Sequence, residues 1–185
     1  TYNGIRPYNR NTLMAEDPTV DGLKTGHTEE AGYGLVASAE RRGMRLISVV
    51  LGTKSKNARK NETRGLLNYG FRFYETVTQF EPGQELDSAR VWKGAQDYVS
   101  VGLLDETVLT LPRGKSKLLT TVVAVEGDLV APLAVGDAVG SVQLTLDGET
   151  VFRAPVVALE AVEPGNFFAR LWDTILMWIA SFFKA

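Results

Sequence analysis

The 185-residue chain contains no cysteine, which excludes disulfides and zinc–thiolate sites and leaves the redox compartment unmarked by thiols. It has one histidine, His27, so a multi-histidine metal site is ruled out, and no metal or other cofactor is expected. There is no basic excess either. Lys and Arg number 20 against 22 Asp and Glu, a net charge of −2, whereas a nucleic-acid binder needs a cationic surplus to neutralise phosphates. No unbroken apolar run reaches the ~18–20 residues of a spanning helix. The chain opens Thr1-Tyr2-Asn3, without an initiator Met, a basic n-region or an apolar h-region, and so reads as a processed protein or a piece of a longer one.

What is present suffices for a sizeable core: 44% of residues are hydrophobic, and the length allows one or two domains. Residues 1–20 read as irregular and polar, with a helical turn from Asn11 to Glu16 and a short strand from Val20 to Thr25. Gly34–Glu40 and Met44–Leu51 are β-rich runs separated by Arg41-Arg42-Gly43, which predicts an antiparallel hairpin. From 57 to about 76 the period becomes helical. Thr63, Leu66, Leu67, Gly70 and Tyr74 form the stripe, with Arg59, Lys60 and Arg64 outside it. Beyond Thr76, turn signals such as Pro82-Gly83, Pro112-Arg-Gly114 and Asp147-Gly148 recur between short apolar runs, as in an all-β sandwich or barrel. Asp147-Gly148 between alternating strands favours a type I′ turn, because both central residues need positive φ. A domain boundary is placed near residue 77.

The last twenty residues differ again. Asn166 is a fitting N-cap for a helix running to Lys184. Phe167, Phe168, Leu171, Trp172, Ile175, Leu176, Ile179, Phe182 and Phe183 are the apolar, membrane-facing candidates, opposite Arg170, Asp173, Thr174, Ser181 and Lys184 with Met177. Two charges inside the stretch disfavour a span. So many large aromatics on one face fit a helix lying in the membrane interface; the alternative is docking on a partner's groove or on the protein's own core.

The sharpest motif is Asp21-Gly22-Leu23-Lys24-Thr25-Gly26-His27-Thr28. Lys-Thr-Gly is one of three elements of the penicillin-binding and β-lactamase active site, with Ser-x-x-Lys and Ser-x-Asn. The chemistry needs these residue types. The ammonium raises local positive potential, the threonine hydroxyl donates to a substrate carboxylate, and glycine keeps the strand edge open. The backbone N–H of the next residue suits an oxyanion hole. Taken alone, three letters would equally describe a lysine in a turn after a strand.

Context makes the likeness specific. Asn9-Arg10-Asn11, Val20 to Thr28, Ala31-Gly-Tyr33, Leu35 to Ala39, Met44 to Ser48, Leu66-Leu67 with Gly70-Phe-Arg-Phe73, Thr110 to Gly114, Ala131-Pro-Leu133 and Pro164 to Phe168 together resemble the low-molecular-mass serine-type D-alanyl-D-alanine carboxypeptidases, which are penicillin-binding proteins. The resemblance implies an α+β arrangement. Residues 1–76 would end a transpeptidase-like catalytic α/β domain, 77–163 would form a small all-β, sandwich-like domain, and 164–185 would form an amphipathic membrane anchor on the periplasmic face of the inner membrane. It further implies catalytic roles for Lys24, Thr25 and Gly26, an oxyanion donor in the His27 backbone N–H, and substrate binding by Thr25 and Arg59. Arg59 would hold the terminal D-alanine carboxylate, since a planar guanidinium binds a carboxylate bidentately; the alternative is a solvated helix face beside Lys54, Lys56, Lys60 and Arg64. Peptidoglycan pentapeptides and β-lactams are the implied partners, with no nucleic acid.

Nothing before Lys24 supplies Ser-x-x-Lys or Ser-x-Asn. Ser55-Lys-Asn57 and Ser181-Phe-Phe-Lys184 match by letter only, the first in a turn before a helix and the second at the end of the anchor. The expectation is therefore a C-terminal fragment that lacks the nucleophile and is inactive alone. A non-catalytic membrane-associated spacer or docking module, and more distantly a β-lactamase, stand as alternatives.

Overall fold

A computed structural model of the chain describes Gly4 and residues 8–183, apart from the side chains of Ala180, Ser181 and Phe183. Expectations resting on the Phe183 side chain, the Ser181 hydroxyl and Lys184 thus lie outside the described residues. Two compact units are formed, one by residues 1–76 with 110–114, the other by 77–109 with 115–185.

The first unit starts with a one-turn helix, α1 (Leu13–Glu16), followed by β1 (Val20–Thr28), β2 (Gly32–Arg41) and β3 (Met44–Thr53), an antiparallel sheet in the order β1-β2-β3. The β2–β3 connection is two residues, not three: Arg42 and Gly43 have φ of 52° and 77°, as a type I′ hairpin turn requires. α2 (Lys56–Phe73) is capped by Ser55, whose side chain accepts from the Ala58 N–H at 3.0 Å. Leu67 of α2 packs with Leu13, Val20, Leu35, Ala37 and Ala39 in the core, flanked by Met14, Leu46 and Phe71. Gly70 lets the helix approach closely, because a Cβ there would collide with Leu46.

The buried stripe of α2 is Arg59, Thr63 and Leu67, spaced by four. This corrects the expected stripe in three places, since Arg59 lies inside it, Leu66 is 51% exposed and Tyr74 begins the next strand. Among the described residues, the hydroxyls of Thr63 and Ser48 are buried without a hydrogen-bond partner. Arg41 fastens the end of β2 by donating to Asp17 (2.7 Å), Thr19 Oγ1 (3.1 Å) and Asn68 (2.9 Å), and it lies over the Phe71 ring. The Thr19 hydroxyl and then Arg41 outweigh burial and hold the Asp17 carboxyl below its ordinary pKa.

β4 (Tyr74–Phe80) pairs with β7 (Thr107–Pro112) in a two-stranded ribbon. The ribbon returns residues 110–114 to the first unit. There Arg113 donates to the carbonyls of Phe71 (3.1 Å), Arg72 (3.2 Å) and Tyr74 (3.0 Å), and its own N–H donates to Phe73 O at 2.8 Å. A cation thus satisfies carbonyls at the end of α2 that have no partner within the helix.

The second unit is a curled β-sheet domain followed by a helix. β5 (Glu85–Trp92), β6 (Tyr98–Gly102), β8 (Thr120–Val125), β9 (Leu129–Val130), β10 (Ala138–Leu146) and β11 (Glu149–Ala158) form one six-stranded sheet in the order β8-β10-β11-β6-β5-β9. All pairings are antiparallel except β5–β9. Alternating residues Val99, Val101, Val142, Leu144 and Val156 are fully buried. Asp147 and Gly148, with φ of 53° and 87°, make the type I′ turn between β10 and β11.

α3 (Phe167–Phe183) begins at Asn166, whose Oδ1 accepts from the Ala169 N–H at 2.9 Å. Its Asp173 accepts from the Lys93 N–H at 2.5 Å. Phe167, Phe168, Leu171, Trp172, Ile175, Ile179 and Phe182 are exposed, and Leu176 is half-buried. Trp178, left out of the expected apolar face, is 65% exposed and packs edge-on against Phe182 at 4.9 Å. Among the described residues, no helix is long and apolar enough to cross a membrane.

Candidate active site

Asn11 sets the entry to the Lys-Thr-Gly strand. It is buried, donating through Nδ2 to Gly22 O (3.2 Å) and accepting from the Leu13 N–H (3.2 Å), which joins the start of α1 to β1. Asp21 bonds Arg45 at 2.7 Å across the sheet. Arg45 and then the Ser38 hydroxyl hold the Asp21 carboxyl below its usual range, while Asp21 raises Arg45. From there β1 runs as an edge, paired among the described residues with β2 alone. Its outer side is a sheet edge of the kind along which an extended ligand adds as a further strand.

Thr25, Gly26 and His27 line a cleft of about 560 Å³ with Tyr8, Asn9, Arg10, Thr12, Tyr33, Lys56 and Arg59. The register places His27 opposite Tyr33, and their rings stack at 3.8 Å with a 35° tilt. Arg10, Lys56 and Arg59 give the cleft a cationic lining suited to a carboxylate. Lys24 does not line it. Strand alternation puts Lys24 on the face opposite Thr25, and its Nζ turns back to the Thr25 carbonyl at 2.8 Å.

Arg59 is the largest departure from the sequence reading. It is only 5% exposed, which overturns the solvated helix face. Its guanidinium is occupied by backbone: Nη1 donates to Gly26 O (3.0 Å) and Gly34 O (3.2 Å), and Nη2 to Arg10 O (3.3 Å). Tyr33, Asn9, Arg10 and Lys56 were not singled out as site residues. The Tyr33 signal lay in the tight turn after Thr28, which pairs residue 27 with 33.

Comparison with known proteins places this edge strand in context. Residues 1–55 match the D-alanyl-D-alanine carboxypeptidase family, and residues 74–164 match the C-terminal domain of penicillin-binding protein 5. Both matches make the chain similar to the penicillin-binding D-alanyl-D-alanine carboxypeptidases. It is 44% identical over 190 residues to the carboxypeptidase DacC of Escherichia coli, covering 100% of this chain and 48% of that protein. With DacA of the same organism it shares 45% identity over 177 residues, 95% of this chain and 44% of the relative. The crystal structure of penicillin-binding protein 5 from Haemophilus influenzae superposes with a TM-score of 0.78 at 38% identity, covering 88% of this chain and 48% of that one. The chain thus spans about half the length of the relatives it matches.

The carboxypeptidase match corrects one expectation. The reading of a C-terminal fragment lacking the serine motifs, without its nucleophile region and inactive alone, rested on letter patterns before Lys24. Residues 1–55 match the catalytic-domain family itself, so this chain carries catalytic peptidase sequence. A missing short motif says little about domain identity, because a family match draws on every position.

Proposed function

We propose that this chain serves a serine-type acyl transfer that removes the terminal D-alanine from peptidoglycan pentapeptides and that β-lactams intercept. The observation that carries this reading is the Lys-Thr-Gly strand held as an open sheet edge on a cationic cleft. A peptide laid along β1 extends the sheet. Its terminal carboxylate takes the Thr25 hydroxyl, and the Arg10 and Lys56 cations of the lining add positive potential, with Lys24 acting only at longer range from the opposite face.

As the nucleophile's hydroxyl gives its proton to a base and its oxygen bonds to the scissile carbonyl carbon, the π pair moves onto the carbonyl oxygen, toward the His27 N–H. The same base hands that proton on to the leaving nitrogen. Return of that pair breaks the C–N bond, and D-alanine leaves with a proton on its nitrogen. Water then repeats the sequence on the acyl-enzyme. Residues 77–163 act as a spacer, and the exposed apolar face of α3 lies in the outer surface of the inner membrane, with the protein peripheral on its periplasmic side.

The test is D-alanine release from a peptide ending in D-Ala-D-Ala, together with covalent labelling by a fluorescent penicillin, in the full-length protein. Thr25→Val, which removes the hydroxyl that faces the cleft, should slow acylation by about 10²–10³-fold, the scale seen when an active-site electrostatic contact is removed. No label and no released D-alanine from the unsubstituted protein would refute the enzyme reading.

A further inference from the structure

Arg59 is a buried cation without a carboxylate partner: among the described residues, no ion pair includes it. Carbonyl oxygens of Arg10, Gly26 and Gly34 surround its charge, and the Tyr33 ring lies 5.7 Å from its centre. A charge held away from water acts strongly on the dipoles it touches. One of those dipoles is the Gly26–His27 peptide group. In a planar trans peptide the C=O and N–H point in opposite directions. Gly26 is registered with Gly34 on β2, and its carbonyl is held on the inner side by Arg59, so the His27 N–H is directed outward along the free edge of β1. A guanidinium on the carbonyl oxygen also withdraws electron density through the amide, which makes the N–H at the other end a stronger donor.

We infer that Arg59 is a positioning residue: it orients and polarises the Gly26–His27 peptide so that the His27 N–H meets the developing oxyanion. This rests on the acyl-transfer reading above. The same guanidinium ties the Arg10 backbone to the strand, so three segments that line the cleft share one fastening. The role differs from a carboxylate clamp in a measurable way. A clamp matters only for ligands that carry a carboxylate, whereas a polarised peptide matters for every acyl donor.

The experiment uses Arg59→Gln and Arg59→Lys in the full-length protein. Acylation is followed with two donors, a peptide ending in D-Ala-D-Ala and an acyl-D-alanine ethyl thioester whose leaving group has no carboxylate. The NMR signals of Gly26 ¹³C′ and His27 ¹⁵N–¹H are followed in parallel. The expected result for Arg59→Gln is a fall in kcat of about 10–100-fold on both donors, below the full loss of an oxyanion donor. KM should stay within threefold, with displaced Gly26 and His27 signals. Arg59→Lys should recover part of both. A loss confined to the carboxylate donor and expressed in KM would overturn the inference, as would unmoved Gly26 and His27 signals. If Arg59→Gln fails to fold, Arg59→Lys carries the test alone through the same ratio of losses on the two donors. Failure of the unsubstituted protein to react with penicillin would sink the acyl-transfer reading and the catalytic half of this one, while the NMR shifts still decide whether Arg59 acts on that peptide.

Discussion

Replacing Trp172 and Trp178 of α3 together with alanine should weaken membrane binding on the order of 100-fold. The two rings are 62% and 65% exposed and flank the apolar face. A tryptophan offers up to about 250 Å² of surface, so ~150 Å² of each ring is open to solvent. At ~25 cal/mol per Å², complete transfer from water would contribute about 4 kcal/mol per ring. An interfacial helix immerses one side only, so roughly half of that is realised. Allowing for the methyl that alanine retains, the double substitution removes ~3 kcal/mol, about two decades in the partition coefficient. Flotation of the full-length protein with phosphatidylethanolamine–phosphatidylglycerol vesicles measures it, with circular dichroism to confirm that the sheet domain is intact. Binding of the double variant within threefold of the parent would refute the reasoning, as would a parent protein that stays with the aqueous phase.

Two further outcomes follow from the interior and from the charges around α1. Thr63→Val should stabilise the protein by about 1 kcal/mol in urea unfolding, because it removes a buried, unpartnered hydroxyl at nearly constant shape; a loss of 1 kcal/mol or more would show that the hydroxyl is satisfied in solution. Asp17 has its carboxyl pKa lowered in the folded state, so its contribution is complete above the unfolded value near ~4 and is lost as pH falls through the lower folded one. Asp17→Asn should therefore be less stable than the parent at pH 7, the gap closing as pH falls through and below the ordinary carboxylate range; a gap that stays constant on acidification would contradict the assignment.

Much of the fold was legible because its signals are local. Asp147-Gly148 announces its hairpin through the positive φ it tolerates, and the glycine of Arg41-Arg42-Gly43 marks another, though its connection is one residue shorter than read. Asn166 marks the start of α3 by the same kind of short-range chemistry. The Lys-Thr-Gly strand was legible too, and the cleft gathers three of its four named residues, Thr25, Gly26 and His27. Arg59 was not. Hydropathy sorts a charged residue to the solvent side of a helix, and nothing in the letters shows that three carbonyls from positions 10, 26 and 34 converge on it. Leu66 was misplaced for the converse reason, since periodicity marks an apolar stripe without fixing its width. Trp178 falls on the apolar face by helical angle, at +7 from Leu171, and was missed only by the choice of neighbours.

The arginine that closes the end of α2 bears on modularity. The stretch matched as penicillin-binding protein 5 C-terminal domain runs from 74 to 164, yet residues 110–114 inside it complete the first compact unit. Arg113 is thus inherited with one module and used by another. A single recombination event near residue 76 that exchanged the downstream portion would strip α2 of the guanidinium on its last carbonyls, unless the incoming segment brought an equivalent cation at the same place. A substitution at position 113 therefore acts on a helix end some forty residues upstream, and a graft of the downstream module is sound only if it carries that cation along.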